Sequence, residues 1–207
     1  MSDALDAWRP QGALGGRRYA RMLIGAALLL CILSVPLTGG RLSRLADLEF
    51  RRAWLALAAI AVQVLIISIV PGIGEDLGEQ IHLASYLLLG AFLVVNRHVP
   101  GLLVIAAGGA LNFAAIVTNG GVMPADADAI AAAGIPQDAT EFANSAPAEG
   151  APLGFLGDVF HTPGWLPIHN VFSVGDVVIV LGAFLLLHRA CGSRLGRPRR
   201  RLRLAEV

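Results

Sequence analysis

The sequence predicts an all-α membrane protein, a bundle of about five transmembrane helices with one long outer loop. Three observations lead there. The chain has 207 residues, of which 56% are hydrophobic and only 15% charged. Its mean hydropathy of +0.67 is too apolar for an ordinary soluble domain. Five segments are apolar and approach the ~20 residues that a bilayer requires: Met22–Leu37, Ala53–Val70, Ile81–Val95, Gly101–Thr118 and Phe172–His188. The third observation is the polar, Gly/Pro-rich stretch 119–171 between the last two, far longer than a turn.

In chain order, residues 1–21 are a polar tail with Arg9, Arg17, Arg18 and Arg21. Residues 22–190 form the helical domain. Pro/Gly punctuation at Val70-Pro71-Gly72 and Val99-Pro100-Gly101 keeps the connections short. Spans two and three therefore form one antiparallel hairpin, and three and four another. Asn119-Gly120-Gly121 reads as a tight turn with positive φ after span four. Ala125–Ala133 reads as a short surface helix, and 136–152 as a linker. Gly108/Asn112 and Ala110/Ala114 put small residues on one face of span four, consistent with close helix contact. Residues 191–207 are an Arg-rich tail.

Basic residues mark the cytoplasmic side. The C-terminal tail, the turn with Arg97 and His98, and the connection with Arg41, Arg44, Arg51 and Arg52 belong inside. The Glu75–Gln80 turn and the loop 119–171 carry acids and no Lys or Arg, so they belong outside. This predicts a multi-pass protein of the bacterial cell (cytoplasmic) membrane with a cytoplasmic C-terminus. The four arginines before span one oppose that orientation. A translation start at Met22 removes them. A cleaved signal peptide is the second explanation, although Leu37-Thr38-Gly39-Gly40 is a poor cleavage site.

Net charge is +1 and all sixteen basic residues are Arg, so global charge selects no nucleic-acid partner. The expected partners are the lipid bilayer, anionic lipid headgroups at the Arg-rich tail and another membrane protein. Cys31 and Cys191 have no metal-ligand spacing, so neither a disulfide nor a zinc site is expected. No cofactor is implied. Asp158-x-x-His161 offers two ligands to a metal, but a third is missing and a solvated loop histidine is the simpler reading. No Ser/His/Asp order, CxxC, HExxH or phosphate loop stands out, which argues against an enzyme.

Polar side chains inside a span are costly and draw attention as functional candidates. Gln63, His82, Asn112 and Asp176 all fall in the outer half of their spans. With a rise of ~1.5 Å per residue, Gln63, Asn112 and Asp176 lie about 12, 10 and 8 Å below the outer ends. One reading is an outer-facing ligand site of Gln63, Asn112, Asn119, Asp158 and Asp176, roofed by the loop 119–171. Asp176 would be its main charge and Asp158 would sit at its rim. The other reading is structural: Gln63, Asn112 and Asp176 hydrogen-bond between helices, and Ser173 with Asp176 caps span five. Composition and spacing leave both open.

An ordered set of short motifs adds a resemblance. Gly39-Gly40-Arg41-Leu42, Gln63, Leu111-Asn112-Phe113 and Asn119-Gly120-Gly121-x-Met123-Pro124 come first. Leu156-Gly157-Asp158 and Ser173-Val174-Gly175-Asp176 follow. Over about Met22 to Arg189 the chain resembles the bacterial integral-membrane proteins of the domain-of-unknown-function 5317 family. That resemblance implies a small multi-span membrane protein with a start near span one, and no assigned activity. The first functional expectation is binding or transport of a small solute, ion or lipid headgroup at the polar site. The alternative is a non-catalytic accessory or assembly protein that docks a partner through the outer loop. An enzyme with Asp158 and Asp176 as paired carboxylates ranks third.

Overall fold

A computed structural model describes residues 22–68, 75–120, 122–135, 145–147, 150–166 and 169–196. The tail 1–21 and the residues beyond 196 lie outside the described residues, as do the two explanations offered for the N-terminal arginines. Among the described residues the architecture is mostly helical. Five long helices stand where apolar segments were expected: α1 (Met22–Leu37), α2 (Trp54–Ser68), α3 (Glu75–Val95), α4 (Leu102–Thr118) and, after a short α5 (Ala127–Ala132), α6 (Val174–Ala190).

The predicted membrane bundle is not what forms. Among the described residues no helix is long and apolar enough to cross a membrane. The reason lies at the helix ends. α1, α2, α4 and α6 run for 15 to 17 residues, which is ~22–26 Å at ~1.5 Å per residue against a hydrocarbon core of ~30 Å. α1 shows how such a helix is stopped. Gly39 takes φ +77°, and the amides of Gly39 and Gly40 donate to Pro36 and Val35 carbonyl oxygens at 3.0 and 2.9 Å, a Schellman closure. α3 reaches 21 residues only because it begins at Glu75 and so takes in Glu75, Asp76 and Glu79. The apolar pattern found the helices and, within two residues, the ends of α1, α4 and α6; only α3 begins well before its expected start.

Neighbouring helices are tied by different devices. α2 and α3 form the expected hairpin. Where that hairpin is entered and left, buried Asn96 clamps the chain: its Oδ1 accepts from Arg51 N at 2.7 Å, and its Nδ2 donates to Arg51 O and Phe92 O at 2.9 and 2.8 Å. Phe50 and Phe92 rings meet beside it at 5.6 Å. Leu93, Val99 and Leu102 form a core there, with Leu48 and Leu186 against it.

The closest packing joins α4 to α6, a pair that sequence order did not single out. Glycines spaced by seven, Gly101 and Gly108 on one side and Gly175 and Gly182 on the other, bring the two backbones together. A Cβ on Gly108 would lie 2.6 Å from Gly175 O, and one on Gly182 would lie 2.6 Å from Ile105 N. Gly101 also has φ +91°, where a side chain is strained. α1 lies against α6 through His188, which is 1% exposed. Its Nε2 is 2.9 Å from Ser34 Oγ and its Nδ1 is 2.6 Å from Ser193 Oγ.

The described parts of the stretch between α4 and α6 fold as a cap rather than a loop. Gly120 turns the chain at φ +66°, as the motif predicted. β1 (Met123–Ala125), wholly buried, pairs in parallel with β2 (Ser145–Pro147). That strand stands inside the segment expected to be a linker. Asp126 caps α5 by accepting from Ala129 N at 2.8 Å. α5 is not a free surface helix, because Ala129, Ile130, Ala133 and Val171 form a core under it. β3 (Phe160–His161) and β4 (Val171–Phe172) make an antiparallel hairpin, closed by Thr162 and Asn170 amides and oxygens at 2.9 Å.

The outward faces of the long helices are apolar. Leu30 and Leu33 on α1, Leu57, Ile60 and Val64 on α2, and Val94 on α3 are all exposed. Helices apolar on every side supply no polar face to turn outward, which is why these side chains remain on the surface. Cys31 and Cys191 are buried free thiols, and burial raises both above the ordinary thiol pKa.

Candidate functional site

Of the five residues nominated from sequence, two come together. Asn112 lies one turn after Gly108 on α4, and the glycine contact brings that turn against the start of α6. Asn112 Nδ2 donates to Asp176 Oδ1 at 2.9 Å. Ser173 Oγ donates to Asn112 Oδ1 at 2.8 Å. Asp176 N donates to Ser173 Oγ at 3.0 Å, and Ser173 N donates to Asp176 Oδ2 at 3.1 Å. The last two bonds are a reciprocal capping box at the N-terminus of α6. With Asn112 they close a ring of bonds between two helices. Gly175 is required in that ring, because a Cβ there would collide with Asn112 Oδ1.

The charge sits where the helix favours it. A carboxylate in the first turn offsets the exposed amides and the positive end of the helix dipole. Tyr86 of α3 lies nearby and packs on Phe113 at 5.5 Å. Burial, and then the Asp176 charge, push the Tyr86 phenol above its ordinary pKa. It is therefore a neutral hydroxyl at neutral pH. Chemically the arrangement is a hydrogen-bonded staple whose members spend their polar atoms on one another.

The other three candidates have separate placements. Gln63 is on the α2/α3 pair, where its Nε2 donates to Ser85 Oγ at 3.1 Å. Asn119 Nδ2 donates to Ala115 O at 2.7 Å and to Pro152 O at 2.8 Å, pinning the cap to the end of α4. Asp158 is buried and its main chain extends the sheet edge: Asp126 N donates to Asp158 O at 3.1 Å and Asp158 N to Pro124 O at 2.9 Å. His82 has a side chain outside the described residues. His161 is exposed, with Nδ1 3.2 Å from Thr162 O. Among the described residues no three His, Cys, Asp or Glu side chains are grouped to hold a metal.

Tyr86 and the His188 cluster have no sequence signature, and the motif that holds Gly175 does not show its contact with Asn112. The repeat of glycines at a spacing of seven was legible, and it marks the α4/α6 contact. The hydroxyl partners of His188 come from Ser34 and Ser193, far from each other in sequence, so no spacing reveals them.

The ring sets an order of effects. Asn112→Leu should cost about 1–3 kcal/mol, because it leaves Ser173 and Asp176 groups unsatisfied. Asp176→Asn should cost less, about 0.3–1 kcal/mol, since it removes mainly the charge at the helix end. Chemical denaturation of both variants checks this. The reverse order would show that capping, not the interhelical bond, is the larger role.

No curated protein and no solved structure matches the chain. The model of a family described as "Family of unknown function (DUF5317)" matches residues 47–188, which include α2 to α6 up to His188, the cap and all five nominated residues. More than half of the chain is covered, with the Asn112, Gly157-Asp158 and Ser173-Val174-Gly175-Asp176 motifs inside the match, and the chain therefore belongs to this family of unknown function, DUF5317.

Proposed function

We propose that this protein is a non-catalytic accessory protein that docks a partner protein through the cap, 119–172. The observation that carries the reading is the cap's exposed apolar rim: Trp165 is 81% and Phe155 68% exposed, with Leu153 and Phe160 also open to the outside. Large exposed apolar side chains grouped on one structural unit mark an interaction surface. The same stretch has acids and no Lys or Arg. A partner with an apolar centre and a basic rim matches both features. The nominated polar residues favour this reading over solute binding, because Asn112, Ser173 and Asp176 bond to one another and Asn119 is spent on main-chain oxygens.

The test is site-specific photo-cross-linking in the native cell from positions 155 and 165, with position 97 as a control. A discrete adduct from both cap positions is expected, weakened in Asp128→Arg and absent from the control. No adduct from either position, together with a monomeric isolate, sinks the reading. An adduct that Asp128→Arg leaves unchanged removes the basic rim from it.

A further inference from the structure

The end of the molecule opposite the cap has its own chemistry. α1 and α3 run into this end, α2 and α4 start from it, and α6 finishes there. Main-chain bonds draw its segments together: Arg41 N donates to Cys191 O and Arg194 N to Thr38 O, both at 3.0 Å, while Asn96 holds Arg51. Arg41, Arg44, Arg51, Arg52, Arg97 and Arg194 are all exposed here, and among the described residues the carboxylates in the same segments are Asp47 and Glu49. Exposed Leu42, Phe50, Trp54 and Leu195 stand among these arginines. Apolar walls of α1, α2 and α3 continue directly below them.

We propose that this end face binds anionic phospholipids. Guanidinium groups recognise phosphate in a planar, bidentate manner, and several of them spread over one face select a surface dense in negative charge. The apolar side chains select further. A phospholipid brings an acyl chain to lie along Leu57, Ile60 and Val94, and burying that surface is favourable. A nucleic acid offers the phosphate but nothing to cover those walls. The tryptophan and phenylalanine beside the arginines suit a boundary that is apolar on one side and wet on the other. The contact is made at an end face and requires no helix to cross a membrane. It is independent of the cap's proposed docking role.

Flotation of the full chain with vesicles tests it, using pure phosphatidylcholine against phosphatidylcholine with phosphatidylglycerol at 7:3. The chain is expected to float mainly with the anionic vesicles and to be released as salt rises. Arg51→Gln/Arg52→Gln/Arg97→Gln, which leaves the C-terminal arginines intact, should bind them about 100-fold more weakly, from ~1 kcal/mol per arginine at an anionic surface. An unchanged circular dichroism spectrum shows that the variant is folded; if it is not, the salt titration of the unaltered chain decides. Equal flotation with neutral vesicles, salt-insensitive binding, or an unweakened folded variant overturns the proposal. So does displacement from the vesicles by RNA at equal phosphate concentration.

Discussion

Gly175→Ala should destabilise the protein by about 3 kcal/mol, the upper part of the usual range for overpacking. Local physics alone predicts the opposite sign. Gly175 lies in the first turn of α6, and alanine in a helix is favoured over glycine by about 1 kcal/mol. The tertiary structure reverses this. A methyl group at 175 would collide with Asn112 Oδ1 and lie 2.7 Å from Gly108 O, so two helix backbones and the ring of bonds must all move. Gly109→Ala is the matched control, since a Cβ there has nothing within 4 Å; it should stabilise by up to about 1 kcal/mol. Denaturation of the two variants reads the difference. A neutral or stabilising Gly175→Ala would remove the close contact from the account of how α4 and α6 pack.

The second large effect belongs to His188. Replacing it with alanine should cost about 3 kcal/mol, as the hydroxyls of Ser34 and Ser193 each lose a buried partner worth ~1–3 kcal/mol. The loss should fall on α1, whose polar link to α6 runs through Ser34. Proteolysis between α1 and α2 is expected to speed up in this variant.

Acid should find the same residue. Burial lowers the His188 pKa below the usual 6.5. Its hydrogen-bond partners are hydroxyls, and the charged groups nearest this corner are guanidinium groups: Arg44 against Gly192, Arg194 beside Gly39, and Arg189, the next residue. The unfolded chain takes up the proton near pH 6.5, while the folded chain resists it. The unfolded state thus binds more protons in this window, and stability rises with pH. The contribution is complete above about pH 6.5 and is lost as pH falls from there toward the lowered folded value. Denaturation midpoints between pH 7.5 and 5 for the parent and His188→Gln check this. The parent should lose more stability across the window, and equal slopes would show that folding does not change the proton affinity of His188.

Several features were legible because they are local. The turn at Asn119-Gly120 needs a glycine with positive φ, and Gly120 supplies it. Ser173 and Asp176, three residues apart before an apolar run, cap α6 whether or not they also serve a site. The apolar segments gave helices at the expected positions, and short connections gave the α2/α3 hairpin. Family membership was also legible, from an ordered set of motifs rather than from any one of them.

Helix partners were not. The membrane bundle failed because the apolar segments were already shorter than the ~20 residues a bilayer requires, and no helix lengthened its segment with apolar residues. Gly39 and the bonds behind it close α1 at Leu37, and α3 extends back over three acids. The linker reading missed β2 because a three-residue strand has meaning only beside Met123–Ala125. Equal depth grouped Gln63 with Asn112, yet depth says nothing about direction around a helix axis.

What the sequence determined by itself was therefore the set of helices, the turn and cap chemistry, and the family. Only the tertiary structure decided which faces meet. The physical reason is that helices apolar on all sides carry little directional pattern. The glycines at 108, 175 and 182 and the few polar side chains break that symmetry, and their effect appears only once two backbones are close enough for a missing Cβ to matter.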